Sequence, residues 1–435
     1  MTLLIDAVIL ALVAGNTLLA FYSPKKAVGL YALSALISPH LRVFGPAVSY
    51  EIAAFIPVGF VCFYRSRYRI RPRLEYHLLA VYFIIAVAAT VLSVARFGTS
   101  VLWIPILGWL RFLFLLVLFN EFVDRETIFK VIAAAITVNL IVAVPQLFVP
   151  GALEVSHQLY AKESQAVLDN YLDRGVIPRA TGTLGSPVNL GVLSLISFAL
   201  AFERITRLGY TLRRTFTAVV ATSAGILALS KTAILGIPLI FATGTLLKFS
   251  TTLFGKIRVS PKRLSTTLGL LSLGGIGLWQ LITFLNESGL NIIRYISFLD
   301  DPLRAFETRY AGTENTTLDV TMEVVKANWL TGVGFTAPRG EFLGDSTYVL
   351  ILHAAGIFGA VLVAALYASL GARVLRKNLL MLLVPLFALA ATGFALPTLY
   401  TLIGAHVISY VVVDSRKSVF EKKIDSRRSS IYKHN

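Results

Sequence analysis

The runs LEYHLLAVYFIIAVAATVLSV at residues 74–94 and VLWIPILGWLRFLFLLVLF at residues 101–119 decide the fold class of this chain. Each run is long enough to cross the ~30 Å hydrocarbon core of a bilayer as an α-helix. Neither run alternates polar and apolar residues, as the strands of a membrane β-barrel do. Because only helices and closed barrels satisfy their backbone hydrogen bonds in lipid, both runs predict membrane-spanning helices.

The composition of the whole chain agrees with this interpretation. Hydrophobic residues make up 56% of the 435 residues and charged residues 14%, and the mean hydropathy is +0.75. A soluble globular chain carries roughly 25% charged residues, so this chain is too poor in charge to cover a surface that faces water. Its single cysteine, Cys62, excludes a disulfide within one chain and a multi-cysteine metal site.

Further apolar segments predict an all-α, polytopic transmembrane helical bundle of roughly 12–14 spans. Residues 1–22 lack the basic start of a cleavable signal peptide and are expected to form the first span. The predicted spans lie at 3–22, 27–39, 49–64, 74–94, 101–119, 127–149, 187–202, 215–230, 232–248, 265–285, 345–370, 378–394 and 397–413. Three segments follow: N-terminal helices at 1–149, central helices with two long loops at 150–344, and C-terminal helices with a basic tail at 345–435.

The formal charge of +17 is read as a membrane signal, with no nucleic acid expected as a partner. With the spans above, all of the basic clusters fall on one side of the membrane, which the positive-inside rule makes cytoplasmic. We therefore expect a multi-pass protein of the plasma membrane, with its long polar segments 150–186 and 286–344 facing the periplasm or the cell exterior. The clusters lie at 65–73, 204–214, 256–263, 373–377 and 416–433.

The two long outer segments are expected to carry short amphipathic helices. Apolar residues recur at helical spacing within 153–172. In the second segment, Thr316 and Asp319 have the spacing of a capping box at the start of a helix. The apolar face of this second helix is predicted to hold Leu318, Val325 and Trp329.

The first outer segment ends in a stretch suited to a phosphate. Arg174 and Arg179 precede a run of small residues, and Pro187 is suited to begin the next helix. A helix N-terminus beside guanidinium groups favours an anion. The alternative is that Arg174 pairs with Asp173 and that Arg179 contacts lipid headgroups. The small and polar residues of this stretch are Gly182, Gly185, Ser186 and Asn189.

Two further places hold candidate residues. Lys231, in a turn between two apolar runs, either reaches the lipid headgroups or points a cation at an anionic substrate. Asp345 stands where the second outer segment meets a membrane helix, either as a helix-terminal carboxylate or as a reactive one. His353 is expected to be a core residue with satisfied hydrogen bonds. Asp300 and Asp301 are expected to be solvated, and no metal site is predicted.

From about Arg174 to Gly359, the central and later part of the chain, the sequence resembles the O-antigen polymerase and O-antigen ligase superfamily. Arg174, ten residues and Gly185 match an arginine–glycine element of the polymerases' outer loops. The stretch 182–189 resembles the family's asparagine-bearing start of the following helix. Ser230-Lys231-Thr232 resembles its serine–arginine turn, with lysine in place of arginine.

The later part of the resemblance extends it to residue 359. Residues 328–334 resemble the stretch before the family's Gly-x-Gly turn. Asp345-Ser346, nine residues and then Gly356-x-x-Gly359 match the ligase signature except at its first position, where ligases have histidine and this chain has Asp345. That departure favours a polymerase over a ligase. The first 150 residues support the general topology alone.

The resemblance implies a fold like that of GT-C-type membrane glycosyltransferases, with no cofactor and no metal. It implies a glycan donor linked to polyprenyl pyrophosphate and a second lipid-linked glycan as acceptor. The expected partners are these substrates, membrane lipids, and a chain-length regulator or other envelope polysaccharide assembly proteins. Asp345 is the expected proton acceptor, and Glu341 is another carboxylate that could take the proton. Arg309 is the second expected catalytic residue, as a cation that stabilises the leaving pyrophosphate. The residues expected to bind pyrophosphate or glycan are Arg174, Arg179, Ser186, Asn189 and Lys231.

Two other functions remain open from the sequence. A ligase would transfer a lipid-linked glycan to another acceptor. A transporter or flippase for lipid-linked glycans would move the substrate without forming a bond, and such proteins often show two related halves. The chain has no evident internal repeat.

Overall fold

The computed structural model is a bundle of α-helices whose buried apolar side chains form one large core and a small separate cluster around Leu318. That core draws side chains from each third of the sequence, from Ile9 in the first helix to Val412 in the last. The structure describes residues 2–41, 48–65, 70, 72–160, 179–254, 318–341, 346–377, 379–394 and 396–413.

The regular secondary structure of the described residues is helical apart from a short antiparallel strand pair, β1 (His40–Leu41) and β2 (Val48–Ser49). A 3₁₀ turn, Leu380–Leu382, precedes the helix Leu383–Thr392. The helices are α1 (Thr2–Tyr22), α2 (Pro24–Ile37), α3 (Tyr50–Arg65), α4 (Leu74–Phe97), α5 (Trp103–Phe122), α6 (Arg125–Phe148), α7 (Ala152–Tyr160), α8 (Pro187–Leu208), α9 (Leu212–Leu227), α10 (Lys231–Phe254), α11 (Asp319–Ala327), α12 (Thr347–Arg376), α13 (Leu383–Thr392) and α14 (Leu402–Val412).

Seven helices of the described chain are long and apolar enough to cross a membrane. They are α1, α4, α5, α6, α8, α10 and α12, and each lies where the apolar runs predict a span. Their length follows from the sequence, because unbroken apolar runs of about 20 residues match the ~30 Å core. The chain is therefore a multi-pass, all-helical membrane protein.

Five of the other predicted spans are helices that fall short of that length. Helices α2, α3, α9, α13 and α14 have 14, 16, 16, 10 and 11 residues. At 1.5 Å per residue they extend about 15–24 Å, less than a bilayer core. The predicted span at 265–285 lies outside the described residues. The total of 12–14 spans stays a prediction, because it depends on these segments.

The amphipathic helices predicted in the outer segments are present as α7 and α11, although details differ. Leu318 and Val325 lie on one buried face, as predicted, and pack with Val349 of α12, but Trp329 lies beyond the end of α11 and is 59% exposed. Helix α11 begins at Asp319, so this residue is the first of the helix and not the third, as a capping box requires. The capping-box prediction is therefore wrong in its register.

Ion pairs hold one end of the bundle together, and we call it the basic end. Lys25 at the start of α2 pairs with Asp124 before α6 at 2.6 Å, and Arg373 of α12 pairs with Glu75 of α4 at 2.5 Å. Burial would raise the pKa of Asp124, but its bonds to Lys25 and Thr127 outweigh burial and lower it. Other pairs at this end are Arg73–Glu121, Arg204–Glu126 and Arg213–Glu126.

A buried polar network completes the basic end. Glu203 of α8 is fully buried and accepts a hydrogen bond from the Tyr410 hydroxyl at 2.5 Å. Arg204, 3% exposed, donates to the same hydroxyl at 3.0 Å and pairs with Glu126 of α6. Arg125 donates to the backbone carbonyl of Tyr410 at 2.6 Å. The last turns of α8 and α14 are thereby fixed to the first turn of α6.

These contacts place the sequence clusters at 65–73, 204–214 and 373–377 at one end of the bundle, as the predicted topology requires. The clusters at 256–263 and 416–433 lie outside the described residues. That the basic end faces the cytoplasm stays a prediction, and it can be tested with single cysteines because the native Cys62 is buried.

We expect Tyr210→Cys, at the basic end, to resist an impermeant thiol reagent in intact cells, while Ser100→Cys at the opposite end reacts. Tyr210 and Ser100 are both exposed, so accessibility in the folded protein does not distinguish them. Permeabilised cells are the control, and both variants should react there. The opposite labelling pattern in intact cells would reverse the orientation.

Candidate functional site

At the end opposite the basic end, the turn that precedes α8 is fixed by two amide side chains of α6. The Gln146 side-chain carbonyl accepts from the backbone N–H groups of Thr181 and Gly182 at 2.8 and 2.9 Å. The Asn139 side-chain carbonyl accepts from the backbone N–H of Thr183 at 2.9 Å. Gly182 has a φ of +58°, and a Cβ there would overlap the Asn139 side chain, so this close approach requires glycine.

A second turn, between α9 and α10, lies against this one. The Arg179 guanidinium donates to the carbonyls of Ala228 and Leu229 at 3.1 and 3.3 Å. Leu229 has a φ of +45°, a left-handed conformation that is costly for a residue with a side chain. A Cβ on Gly191 of α8 would overlap the Ser230 side chain, so the turn touches the first part of α8.

The two turns bring four of the predicted substrate-binding residues to one place. Ser186 is the N-cap residue of α8, and Asn189 is exposed in its first turn. Lys231 is the first residue of α10 and is exposed. We call Arg179, Ser186, Asn189 and Lys231 the anion cluster. The other predicted site residues, Arg174, Arg309 and Asp345, lie outside the described residues.

Arg179 has a contact that neither sequence interpretation included. Both expected its guanidinium to face an anion or a headgroup, whereas two of its nitrogens donate to the turn after α9. A helix leaves its last carbonyls without partners inside the helix, and a guanidinium satisfies them well. Arg179 therefore supports the turn that carries Lys231.

A break in α12 positions a second group of residues, which also lies at the end opposite the basic end. Gly356 has a φ of +56° and a ψ of −150°, which interrupts the helix. The interruption turns the carbonyls of His353 and Ala354 to the N–H groups of Val333 and Gly334, at 2.7 and 3.1 Å. A small residue such as Gly356 in a membrane helix is expected to let a neighbouring helix pack closely. At Gly356 this expectation is wrong, because the close neighbour is the loop backbone at Leu330.

The same loop carries a carboxylate to His353. Nε2 of His353 and Oε1 of Glu341 are 2.8 Å apart, and both side chains are almost fully buried. Burial would raise the pKa of Glu341, but the hydrogen bonds from His353 and from the Arg339 backbone N–H lower it below its ordinary value. Glu341 is therefore ionised at neutral pH, and Nε2 of His353 carries the proton that it donates. His353 is a satisfied buried residue, as predicted, but its partner is a charge.

His353 also lines a cavity of about 630 Å³ between α3, α5, α12 and the start of α14. The aromatic rings of Trp109 and Tyr400 are stacked on its wall, with centroids 4.9 Å apart. Arg111 of α5 reaches the cavity and pairs with Glu51 of α3 at 3.1 Å. The sequence analysis missed Arg111. The signal was present, because Arg111 is the one charged residue in an apolar run of 19 residues, and such a residue is a candidate for a functional site.

The part of the chain that the structure describes holds no group of three or more histidine, cysteine or acidic side chains suited to a metal ion. Asp300 and Asp301 lie outside it. Comparison of the chain with known protein families, curated proteins and solved structures finds no match. The family resemblance therefore rests on the sequence motifs, and the activity that it implies is a proposal.

Proposed function

We propose that this protein is a membrane glycosyltransferase that polymerises glycan units carried on polyprenyl pyrophosphate at the outer face of the plasma membrane. The observation that carries the proposal is the anion cluster at the end opposite the basic end. It combines two cationic side chains with the N-termini of two membrane helices, α8 and α10. The proposal also rests on the order of the sequence motifs between residues 174 and 359.

This combination suits a pyrophosphate for electrostatic reasons. Each helix N-terminus carries roughly half a positive charge and exposes backbone N–H groups, which favours a bound anion. Lys231 adds a full charge at the first residue of α10, and Arg179 fixes the turn that holds it. In this proposal Arg174 and Arg309 supply the further cations that the family resemblance implies.

The reaction follows from those charges. A hydroxyl oxygen of the acceptor glycan attacks the anomeric carbon of the donor, and a new C–O bond forms. The bond from that carbon to the pyrophosphate oxygen breaks, and its electron pair leaves with polyprenyl pyrophosphate. Because the leaving group is already a stable anion, cations that stabilise its growing charge matter more than an acid. The hydroxyl proton passes to a carboxylate or imidazole.

We expect Lys231→Ala, Arg174→Ala and Arg309→Ala each to lower glycan transfer well over tenfold. The loss of one charge-assisted contact to the leaving pyrophosphate costs about 1.5–3 kcal/mol. Lys231→Arg should retain activity if charge alone matters. The measurement is transfer per molecule of protein in proteoliposomes supplied with a lipid-linked oligosaccharide donor.

Lys326→Ala is the matched control, because Lys326 is an exposed lysine of α11 outside the anion cluster. Activity equal to wild type in Lys231→Ala, Arg174→Ala and Arg309→Ala would remove these three cations from the mechanism. The product of the wild-type protein tests the reaction itself. A ladder of lipid-linked oligomers supports a polymerase. A single transfer to a new acceptor indicates a ligase, and movement without bond formation indicates a transporter.

A further inference from the structure

We infer that the 630 Å³ cavity is the acceptor pocket of this transferase, that His353 accepts the proton of the attacking hydroxyl, and that Glu341 is the residue that positions His353. The inference rests on the proposed function and assigns the proton acceptor within it. It replaces Asp345 in that role with His353, which lies among the nine unspecified residues between Ser346 and Gly356.

The tautomer of His353 supports this assignment. Glu341 is ionised and accepts from Nε2–H, so Nδ1 bears the lone pair that can take a proton. Nδ1 makes no hydrogen bond to another part of the described chain. A buried carboxylate that accepts from one ring nitrogen makes the other nitrogen a general base, because the carboxylate fixes the ring and stabilises the imidazolium.

Rigid surroundings hold the pair in place. The backbone N–H of Arg339 donates to the second oxygen of Glu341 at 2.8 Å. On the far side of the loop, the N–H of Phe335 donates to the Thr90 hydroxyl of α4 at 2.8 Å. The bonds at the α12 break fix the same loop to the backbone of His353 itself. Catalytic groups held by such a shell keep the geometry that proton transfer needs.

The cavity has the character of a pocket for a sugar. Its volume lies within the ~300–1,000 Å³ that small-molecule pockets occupy. The stacked Trp109 and Tyr400 present flat apolar surfaces suited to the C–H face of a sugar ring. His353, Thr401 and Arg111 bring polar groups to an otherwise apolar lining, which is how such pockets orient a ligand.

Protons and electrons balance in the proposed step. The acceptor O–H gives its proton to Nδ1 of His353 as the oxygen bonds to the anomeric carbon, and polyprenyl pyrophosphate takes the electron pair of the broken bond. The imidazolium then stands beside the Glu341 carboxylate and returns its proton to water. The other charges that face the cavity are Arg111 of α5 and its partner Glu51 of α3.

Transfer by His353→Gln in proteoliposomes is expected to fall about a hundredfold, the scale of general-base catalysis. Glu341→Gln keeps a hydrogen-bond acceptor and loses the charge that stabilises imidazolium. Its pH–rate profile should therefore begin to rise at a lower pH than that of wild type, while Glu341→Asp restores part of the rate. A structural role for Glu341 would lower the rate without moving the profile. Glu323→Gln and His77→Gln, at exposed positions outside the cavity, are the matched controls.

The pocket itself is tested with Gly108→Leu. Gly108 lines the cavity, and a Cβ there meets no atom within 4 Å. This change should raise the acceptor KM and leave donor binding unchanged. Gly15→Leu, at a helical glycine in α1 that is equally open, should change neither.

Three outcomes would overturn the inference while leaving the proposed function intact. They are a wild-type rate in His353→Gln, an unmoved pH profile in Glu341→Gln, and loss of transfer in Asp345→Asn alone. Failure of the wild-type protein to form any glycosidic bond would instead remove the proposed function. If His353→Gln melts below the assay temperature, the Glu341→Gln profile and the Gly108→Leu acceptor KM decide the question.

Discussion

Gly356→Ala is expected to destabilise the protein by about 3 kcal/mol or more and to abolish glycan transfer. The backbone at this position combines a φ of +56° with a ψ of −150°, a region that is almost exclusive to glycine. A Cβ would also overlap the carbonyl of Leu330 and lie 2.7 Å from the N–H nitrogen of Thr331. Both neighbours are backbone atoms, so no side chain can rotate to make room.

The measurement is the melting temperature of the purified protein in detergent, with transfer in proteoliposomes alongside it. Gly371→Ala is the matched control, because Gly371 lies in the same helix and a Cβ there meets no atom within 4 Å. That variant should be as stable as wild type or slightly more stable, since alanine favours the helix by up to ~1 kcal/mol. Equal melting temperatures for the two variants would show that the break in α12 does not depend on glycine.

The second large effect is expected at the basic end. Glu203→Ala should destabilise the fold by about 3–5 kcal/mol, the cost of breaking a buried charge pair from one side. The change removes the acceptor of the Tyr410 hydroxyl and the partner of Arg207. Arg204, which is 3% exposed, would keep Glu126 as its remaining carboxylate.

Chemical denaturation of purified variants measures this effect. Glu323→Ala is the comparison, because Glu323 and Arg339 form an exposed pair at 2.7 Å whose loss should cost less than about 1 kcal/mol. Glu203→Gln should fall between the two, since the amide still accepts from Tyr410 but carries no charge. If Glu203→Ala were no less stable than Glu323→Ala, the network would contribute nothing to stability.

The long helices follow from the sequence because their cause is local. An unbroken apolar run must form its hydrogen bonds within itself in lipid, so the starts of α4 at Leu74 and α8 at Pro187 fall where the pattern predicts them. The end of α8 does not. Hydropathy ends the span at 202, but the helix continues to Leu208, where Glu203 and Arg204 are paired with other helices.

The anion cluster was predictable in part. A sequence pattern reveals polar and charged residues that lie beside predicted helix starts, and the four members of the cluster, Arg179, Ser186, Asn189 and Lys231, are of this kind. Their convergence is a different matter, because it depends on how α8 packs against α10. Gly191 shows this dependence, since its missing side chain makes room for Ser230, 39 positions later in the sequence.

The sequence by itself determined that this chain is a helical, multi-pass membrane protein, and it put described basic residues such as Arg73, Arg213 and Arg373 at one end of the bundle. Those properties depend on length, hydropathy and charge along one segment at a time. Tertiary structure alone decided that Gly356 breaks α12, that Glu341 meets His353, and that Arg111 pairs with Glu51 across a cavity. The physical reason is that a buried charge requires a partner, and the partner can come from any helix that packs beside it.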